Sequence, residues 1–159
     1  MAGLLTPILE EVQTALRATL NTEKDALDST LADVASAAIR IQYSGGIIED
    51  SVWVNIFPWG ETVPNQESNR TDNLPWGVVT EVLVNGDNSE DIIKAADVYT
   101  SAMMKSIIKH GDDWSLNGTC DKVEIVLINP ETFDGHQDSE IIAGNFIQWI
   151  FDKEETLTS

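Results

Sequence analysis

The chain has 159 residues and a formal net charge of −18, from 27 acidic and nine basic side chains. Its hydrophobic content of 42% and charged content of 23% are typical of one globular domain. So acidic a surface repels nucleic-acid phosphates and anionic lipid headgroups, which excludes a protein that grips DNA or binds membranes through basic residues. The acidic residues are spread along the chain, which is typical of a solvated surface. A more specific interpretation of the same pattern is a pore that must not bind the DNA passing through it.

A single cysteine, Cys120, excludes a disulfide framework or a cysteine-based zinc cluster within one chain. The N-terminus lacks the basic region and long apolar core of a secretory signal, and no apolar run approaches the length of a membrane span. We therefore expect the protein to mature in a cytoplasm and to have no membrane partner.

Residues 1–44 are predicted to form an N-terminal helical element. Pro7 stands at the first helical position, where its missing N–H does no harm, and apolar residues then recur at helical spacing. Asn21 or Thr22 would cap a second helix. The apolar positions of that helix are Leu27, Leu31, Val34 and Ala38. Alternating residues over 39–43 suit a short strand.

Residues 45–151 are predicted to form a core of one sheet and one helix. The predicted strands cover residues 51–57, 78–84, 121–128 and about 140–151, and the predicted helix covers about 89–109. A long polar stretch is predicted to project as a loop over 58–77, bracketed by two copies of Pro-Trp-Gly. The polar tail, 152–159, is predicted to fray.

This order predicts a single domain, 1–159, of the α+β class: a four-stranded, mainly antiparallel sheet packed with one long helix, plus the N-terminal helical element. The last strand is apolar on both faces, with Ile147, Trp149 and Phe151 on one side and Phe146 and Ile150 on the other. Antiparallel sheets usually keep one face wet. We therefore expect helices or a neighbouring subunit to cover each face.

The sequence contains no recognisable catalytic apparatus. His110 closes the long helix, where a cation complements the helix dipole. His136 lies between Asp134 and Asp138, but this spacing matches no known metal cage and favours a polar turn. Cys120 has no basic partner nearby in sequence that would make it a thiolate. We predict no enzymatic activity, no cofactor and no metal.

The five tryptophans are the most distinctive residues of the chain. Trp59 and Trp76 flank the long loop, so we expect them to be exposed, and large aromatic side chains are typical anchors of protein interfaces. For Trp53 and Trp149 a core position is favoured. The candidate interface residues are Trp59, Trp76, Phe146 and Trp149.

A series of features follows in order between Val52 and Phe151. The strand Val52-Trp-Val-Asn-Ile-Phe-Pro58 precedes a long variable loop, and the strand over 78–84 runs into an acid-started helix containing Ala95-Ala-Asp-Val-Tyr99 and Met103-Met-Lys-Ser-Ile-Ile108. A strand over 123–128, a loop and a hydrophobic final strand follow. In this order the chain resembles the tail completion or tail terminator proteins of tailed bacteriophages, which cap the tail tube at the neck. The N-terminal helices and the Pro-Trp-Gly copies lie outside the resemblance.

The resemblance implies a ring, usually a hexamer, that stops growth of the tail tube and docks onto the head or its connector. Its partners would be copies of itself and the tail-tube and connector proteins in the virion, and DNA would pass through an acidic lumen without sticking. A ring needs two different patches on each subunit. The last strand and the long loop are the expected patches.

Two alternatives from other classes stay open. One is a small α+β module that binds a peptide or metabolite, with Trp59 and Trp76 as a stacking platform. The other is a metal-dependent hydrolase that uses Asp134, His136 and Asp138.

Overall fold

The computed structural model describes residues 3–42, 51–60, 65–66, 71–134 and 141–156. The N-terminal part contains helix α1 (Thr6–Leu27), a 3-10 turn (Ser36–Ala38) and strand β1 (Ile39–Ile41). The remaining elements are β2 (Val52–Pro58), β3 (Asn65–Gln66), β4 (Thr71–Gly86), α2 (Ser89–Ile108), β5 (Lys122–Asp134) and β6 (Ile141–Thr156).

The strands form one sheet in the order β1-β2-β4-β6-β5, and the two-residue strand β3 pairs with the start of β4. Strand β1 runs parallel to β2, and the other neighbours are antiparallel. The α+β class is confirmed. The predicted four-stranded, mainly antiparallel sheet with one long helix is approximately right, since the sheet is mixed, has five strands along its main path and packs with two helices.

Both helices pack on one face of the sheet, which we call the helix-covered face. Asn145 of β6 donates a hydrogen bond from its side-chain nitrogen to Thr100 Oγ1 of α2 at 2.7 Å. Alternate residues of the central strands are buried on this face: Val54, Ile56, Val78, Thr80, Val82, Ile147, Trp149 and Phe151. The period-2 apolar pattern of the strands therefore builds the core.

Helix α1 runs without a break to Leu27, so the prediction of a second helix beginning at Asn21 or Thr22 is wrong. The side chain of Asn21 instead holds the returning chain: its Nδ2 donates to Val34 O at 3.0 Å, and its Oδ1 accepts from Val34 N at 2.8 Å. Asparagine is a common helix cap, but the side chain of Asn21 makes tertiary hydrogen bonds to the backbone of Val34.

A buried cation fixes the same turn. The side chain of Lys24 is 1% exposed, and its Nζ donates to Leu31 O and to Asp33 Oδ1, both at 2.7 Å. It also lies 2.6 Å from the Asp25 carboxylate. Burial alone lowers the pKa of Lys24, but the hydrogen bonds to Asp25 and Asp33 outweigh it and hold the pKa above its usual value of 10.5.

Helix α2 confirms its prediction closely. Asn88 caps it by accepting a hydrogen bond from Asp91 N at 3.1 Å, and Gly111 follows its end with a φ of +65°. Apolar residues at helical spacing form one buried stripe along this helix: Ile92, Ala96, Tyr99, Met103 and Ile107. The Tyr99 hydroxyl donates to Ala32 O and so ties α2 to the segment after α1.

Three strands are longer than predicted. Strand β4 begins at Thr71, so 71–77 do not belong to a projecting loop, while residues 61–64 and 67–70 of that loop lie outside the described residues. Strand β5 continues past Asn129-Pro130 to Asp134, and β6 takes in 152–156, which were predicted to fray. Their polar residues obtain ladder hydrogen bonds from the neighbouring strands, which local polarity does not reveal.

Candidate interaction surface

The two edges of the sheet are protected differently. At one edge β1 is only three residues long, and Ile39 O accepts hydrogen bonds from Gln13 Nε2 and Arg17 Nη2 of α1, both at 3.0 Å. At the other edge β5 spans 13 residues and, within the described residues, pairs only with β6. We call β5 the open edge. A long edge strand is a template for another chain wherever no bulge or proline interrupts its outer backbone groups.

The open edge carries three successive exposed apolar side chains. Val126, Leu127 and Ile128 are 47%, 46% and 43% exposed. A register shift between Ile125 and Leu127 marks a β-bulge, which breaks the alternation that would turn every second apolar side chain into the core. This surface was not predicted, although Pro130 is a signal for it, because proline inside a strand is confined to edges and bulges.

The face of the sheet opposite the helices is also apolar, and we call it the helix-free face. The register places Phe57, Val79, Gln148 and Leu127 in one cross-strand row, with Phe146 and Ile150 on the same face to either side of it. The face is not purely apolar, because Asn55 Nδ2 donates to Glu81 Oε1 at 3.0 Å in the row of Phe146. Phe57, Phe146 and Ile150 are half-buried. Within the described part of the chain, neither α1 nor α2 packs on this face. The expected cover of this face therefore stays a prediction.

The two Pro-Trp-Gly copies contact each other through Trp59 and Gly77. Trp59 N donates to Gly77 O at 3.1 Å, and Trp59 Nε1 donates to Trp149 O at 3.4 Å. A Cβ added to Gly77 would lie 2.4 Å from Trp59 O and 3.2 Å from Trp59 Nε1. The half-buried ring of Trp59 therefore lies over Gly77 on the helix-free face, in space that only glycine leaves open.

Trp76 lies on the other side of the sheet. It pairs across the strands with Phe151, is half-buried, and packs against the core beneath the helices. Cross-strand partners share a face, so Trp59 and Trp76 lie on opposite faces and cannot form one stacking platform. The expectation that both are exposed is wrong, since both are half-buried.

The other candidate interface residues, both on β6, divide between the two faces. Trp149 has no exposed surface, its Nε1 donates to Thr80 Oγ1 at 2.8 Å, and its ring stacks on Phe151 at 5.9 Å between centroids. Its placement at an interface is wrong, because a fully buried side chain offers a partner nothing to contact. Phe146 stays a candidate on the helix-free face.

The first residues of the open edge carry an excess of negative charge. Asp121 and Glu124 are exposed, and Asp152 lies across from Lys122 on β6. Burial raises the pKa of Asp152; Lys122 opposes this, and the carboxylates of Glu124 and Asp121 raise the pKa further. Asp121 is held in place, since its Oδ2 accepts from Glu154 N at 2.7 Å.

Cys120 and His110 are both held within the fold. Cys120 is 3% exposed, and burial raises its pKa to about 11, so at neutral pH it is a thiol and not a nucleophilic thiolate. His110 Nε2 lies 2.6 Å from Glu11 Oε1 and joins the end of α2 to α1. No group of three metal-ligating side chains occurs among the residues that the structure describes. The side chains of Asp134, His136 and Asp138 lie outside the part of the chain that the structure describes, so this candidate metal set stays a prediction.

A small depression of about 280 Å³ lies between the turn after α1 and the start of α2. Its lining mixes charged and apolar side chains: Asp28, Thr30, Leu31, Asp91, Lys94, Ala95 and Val98. This volume is at the lower limit of sites for small molecules.

No model of a known protein family and no curated protein matches the sequence of this chain. Across the described ranges, neither helix combines the length and the apolar character that crossing a membrane requires.

Proposed function

We propose that the chain is a structural subunit of the neck of a tailed bacteriophage. It forms a ring that terminates the tail tube and joins the tail to the head or its connector, and it has no catalytic role. The observation that carries the proposal is the helix-free face, where the half-buried side chains of Phe57, Phe146 and Ile150 leave part of their apolar area uncovered on a chain that is otherwise strongly acidic. Apolar surface of this kind is stabilised by contact with neighbouring protein.

The order of elements supports the same proposal. The described chain retains a strand before the loop region, a strand leading into an acid-started helix, and two further strands, which is the order on which the resemblance to tail terminator proteins rests. A shared order of elements supports a similar architecture, whereas the proposed function depends on the residues of the helix-free face.

A ring requires each subunit to contact its neighbours through two different patches. The proposal assigns one patch to the helix-free face around Phe146 and the other to the segment that follows β2, which begins with Trp59. Each subunit adds a charge of −18, so an acidic lumen repels passing DNA.

The test is the native mass of the purified protein together with negative-stain images. We expect rings with a central hole, favoured as the salt concentration rises from about 0.1 M to 1 M, because salt screens the repulsion between acidic subunits. Phe146→Asp should abolish the rings and leave the circular dichroism spectrum unchanged. Ile93→Asp is the matched control, since Ile93 is 49% exposed on α2, on the helix-covered side. A monomer at micromolar concentration across this salt range would contradict the proposal.

A further inference from the structure

The backbone of the open edge is suited to receive another strand. An edge strand leaves every second pair of N–H and C=O groups outside the sheet ladder, and extended peptides bind such edges by adding a strand. The usable stretch is Lys122–Asn129, because Pro130 has no N–H and interrupts the row of donors. The bulge at Val126 divides this stretch into two short rows, which an added strand has to match with a bulge of its own. Within it lie the exposed side chains of Val126, Leu127 and Ile128, which an added strand would cover.

The charge at this edge decides what kind of chain can occupy it. A second copy would bring its own −18, and pairing of two β5 strands would place the Glu124 carboxylates in a field that is already negative. The β1 edge of a second copy is short and capped by Gln13 and Arg17. A segment with lysine or arginine is attracted instead, since the three carboxylates of Asp121, Glu124 and Asp152 outnumber the two cations at this end of the edge, Lys122 and Lys153.

We propose that the open edge binds an extended segment of a different protein, apolar in its middle and carrying lysine or arginine beside Glu124. The segment pairs with β5 and becomes the sixth strand along the main path of the sheet. The inference rests on the proposed assembly function and names the chemistry of the partner that the ring joins. Backbone hydrogen bonds hold the segment, Val126 and Leu127 cover its apolar residues, and Glu124 selects its charge.

The experiment uses a randomised library of peptides about ten residues long, the length of an extended edge strand, selected against the immobilised full chain. We expect enrichment of alternating apolar residues with lysine or arginine near one end. A synthetic copy of an enriched peptide, followed by fluorescence anisotropy, should bind about tenfold more weakly to Glu124→Lys and should lose affinity as salt is added. The double variant Val126→Ser/Leu127→Ser should weaken binding at least as much.

Matched controls separate this site from the rest of the surface. Asp97→Lys makes the same change of charge at an exposed position of α2, and Ile93→Ser removes an exposed apolar side chain from the same helix; both should bind as the unchanged protein does. All the changed side chains are exposed, and a matching unfolding midpoint establishes that each variant is folded.

The inference is overturned if no peptide is enriched, if the enriched peptides lack basic residues, or if their binding is unaffected by the β5 variants. A loss of self-association in the β5 variants would also overturn it, because the occupant would then be a second copy. If the protein forms rings but enriches no peptide, the proposed peptide site is refuted and the proposed ring is not. If the protein enriches basic peptides but stays monomeric, the proposed ring is refuted and the proposed peptide site is not.

Discussion

A single hydrogen atom at position 77 allows the two Pro-Trp-Gly copies to meet. Alanine at this position would bring a Cβ to 2.4 Å from Trp59 O, a backbone atom that cannot rotate away. We expect Gly77→Ala to lower the free energy of unfolding by about 1–3 kcal/mol, the usual cost of overpacking. Urea unfolding measures it. Gly3→Ala is the control, since no atom lies within 4 Å of its added Cβ, and equal stability of the two variants would contradict the contact.

The buried ammonium of Lys24 links stability to pH. Its folded-state pKa lies above 10.5, so the folded protein holds this proton more tightly than the unfolded chain does. The stabilisation is complete well below pH 10.5 and is lost as the pH rises through the folded-state pKa.

Lys24→Met should therefore lower the free energy of unfolding at pH 7 by about 1–2 kcal/mol, through the lost hydrogen bonds to Leu31 and Asp33. The variant and the unchanged protein should converge in stability above pH 10.5. Denaturant titrations between pH 7 and 11 measure the difference, and Lys94→Met is the control, because Lys94 pairs with Glu90 on the exposed surface of α2. A difference that grows with pH would refute the assigned role of Lys24.

At the scale of elements, Asn21 joins α1 to the segment that returns towards the sheet. Asn21→Ala would leave the N–H and C=O of Val34 without these partners, and we expect a loss of about 1–3 kcal/mol in the free energy of unfolding. Thr22→Ala changes an exposed residue of the same helix and should be nearly neutral. Thermal unfolding of both variants checks this; a larger loss for Thr22→Ala would mean that Thr22 and not Asn21 anchors this turn.

Elements whose signals are local could be predicted, and α2 is the clearest case. The cap at Asn88, the acidic first turn and the stop at Gly111 all lie within or beside the helix, and all agree. The predicted helix start at Asn21 is wrong because its side chain forms hydrogen bonds with Val34, 13 residues away, and a local sequence pattern cannot show such a contact. The ends of β4 and β6 were missed for the same reason, since their pairing is long-range.

The candidate surface was predictable only in part. The double apolar pattern of β6 makes Phe146 and Trp149 candidates, but it does not tell which face the helices cover. The core position favoured for Trp149 is confirmed, and the interface role of Phe146 stays a prediction. The open edge depends on sheet order and on a bulge at Val126, neither of which is written in local residue types.

At the scale of the whole molecule, the charge of −18 governs encounters with nucleic acid. We expect no retardation of duplex DNA in a gel-shift assay even at about 0.01 M salt, where charges act over roughly 30 Å. A basic DNA-binding protein serves as the positive control. Retardation that disappears with added salt would reveal a cationic patch and would contradict a non-sticking passage for DNA.

The unequal edges of the sheet limit how far strand pairing can spread. Gln13 and Arg17 occupy Ile39 O at the β1 side, so among the described residues β5 is the one long strand with a side open to an incoming strand. A chain with two receptive edges can propagate into a fibril, whereas a monovalent one ends any series that it joins. Concentrated solutions should therefore yield closed, stoichiometric complexes and no cross-β fibres.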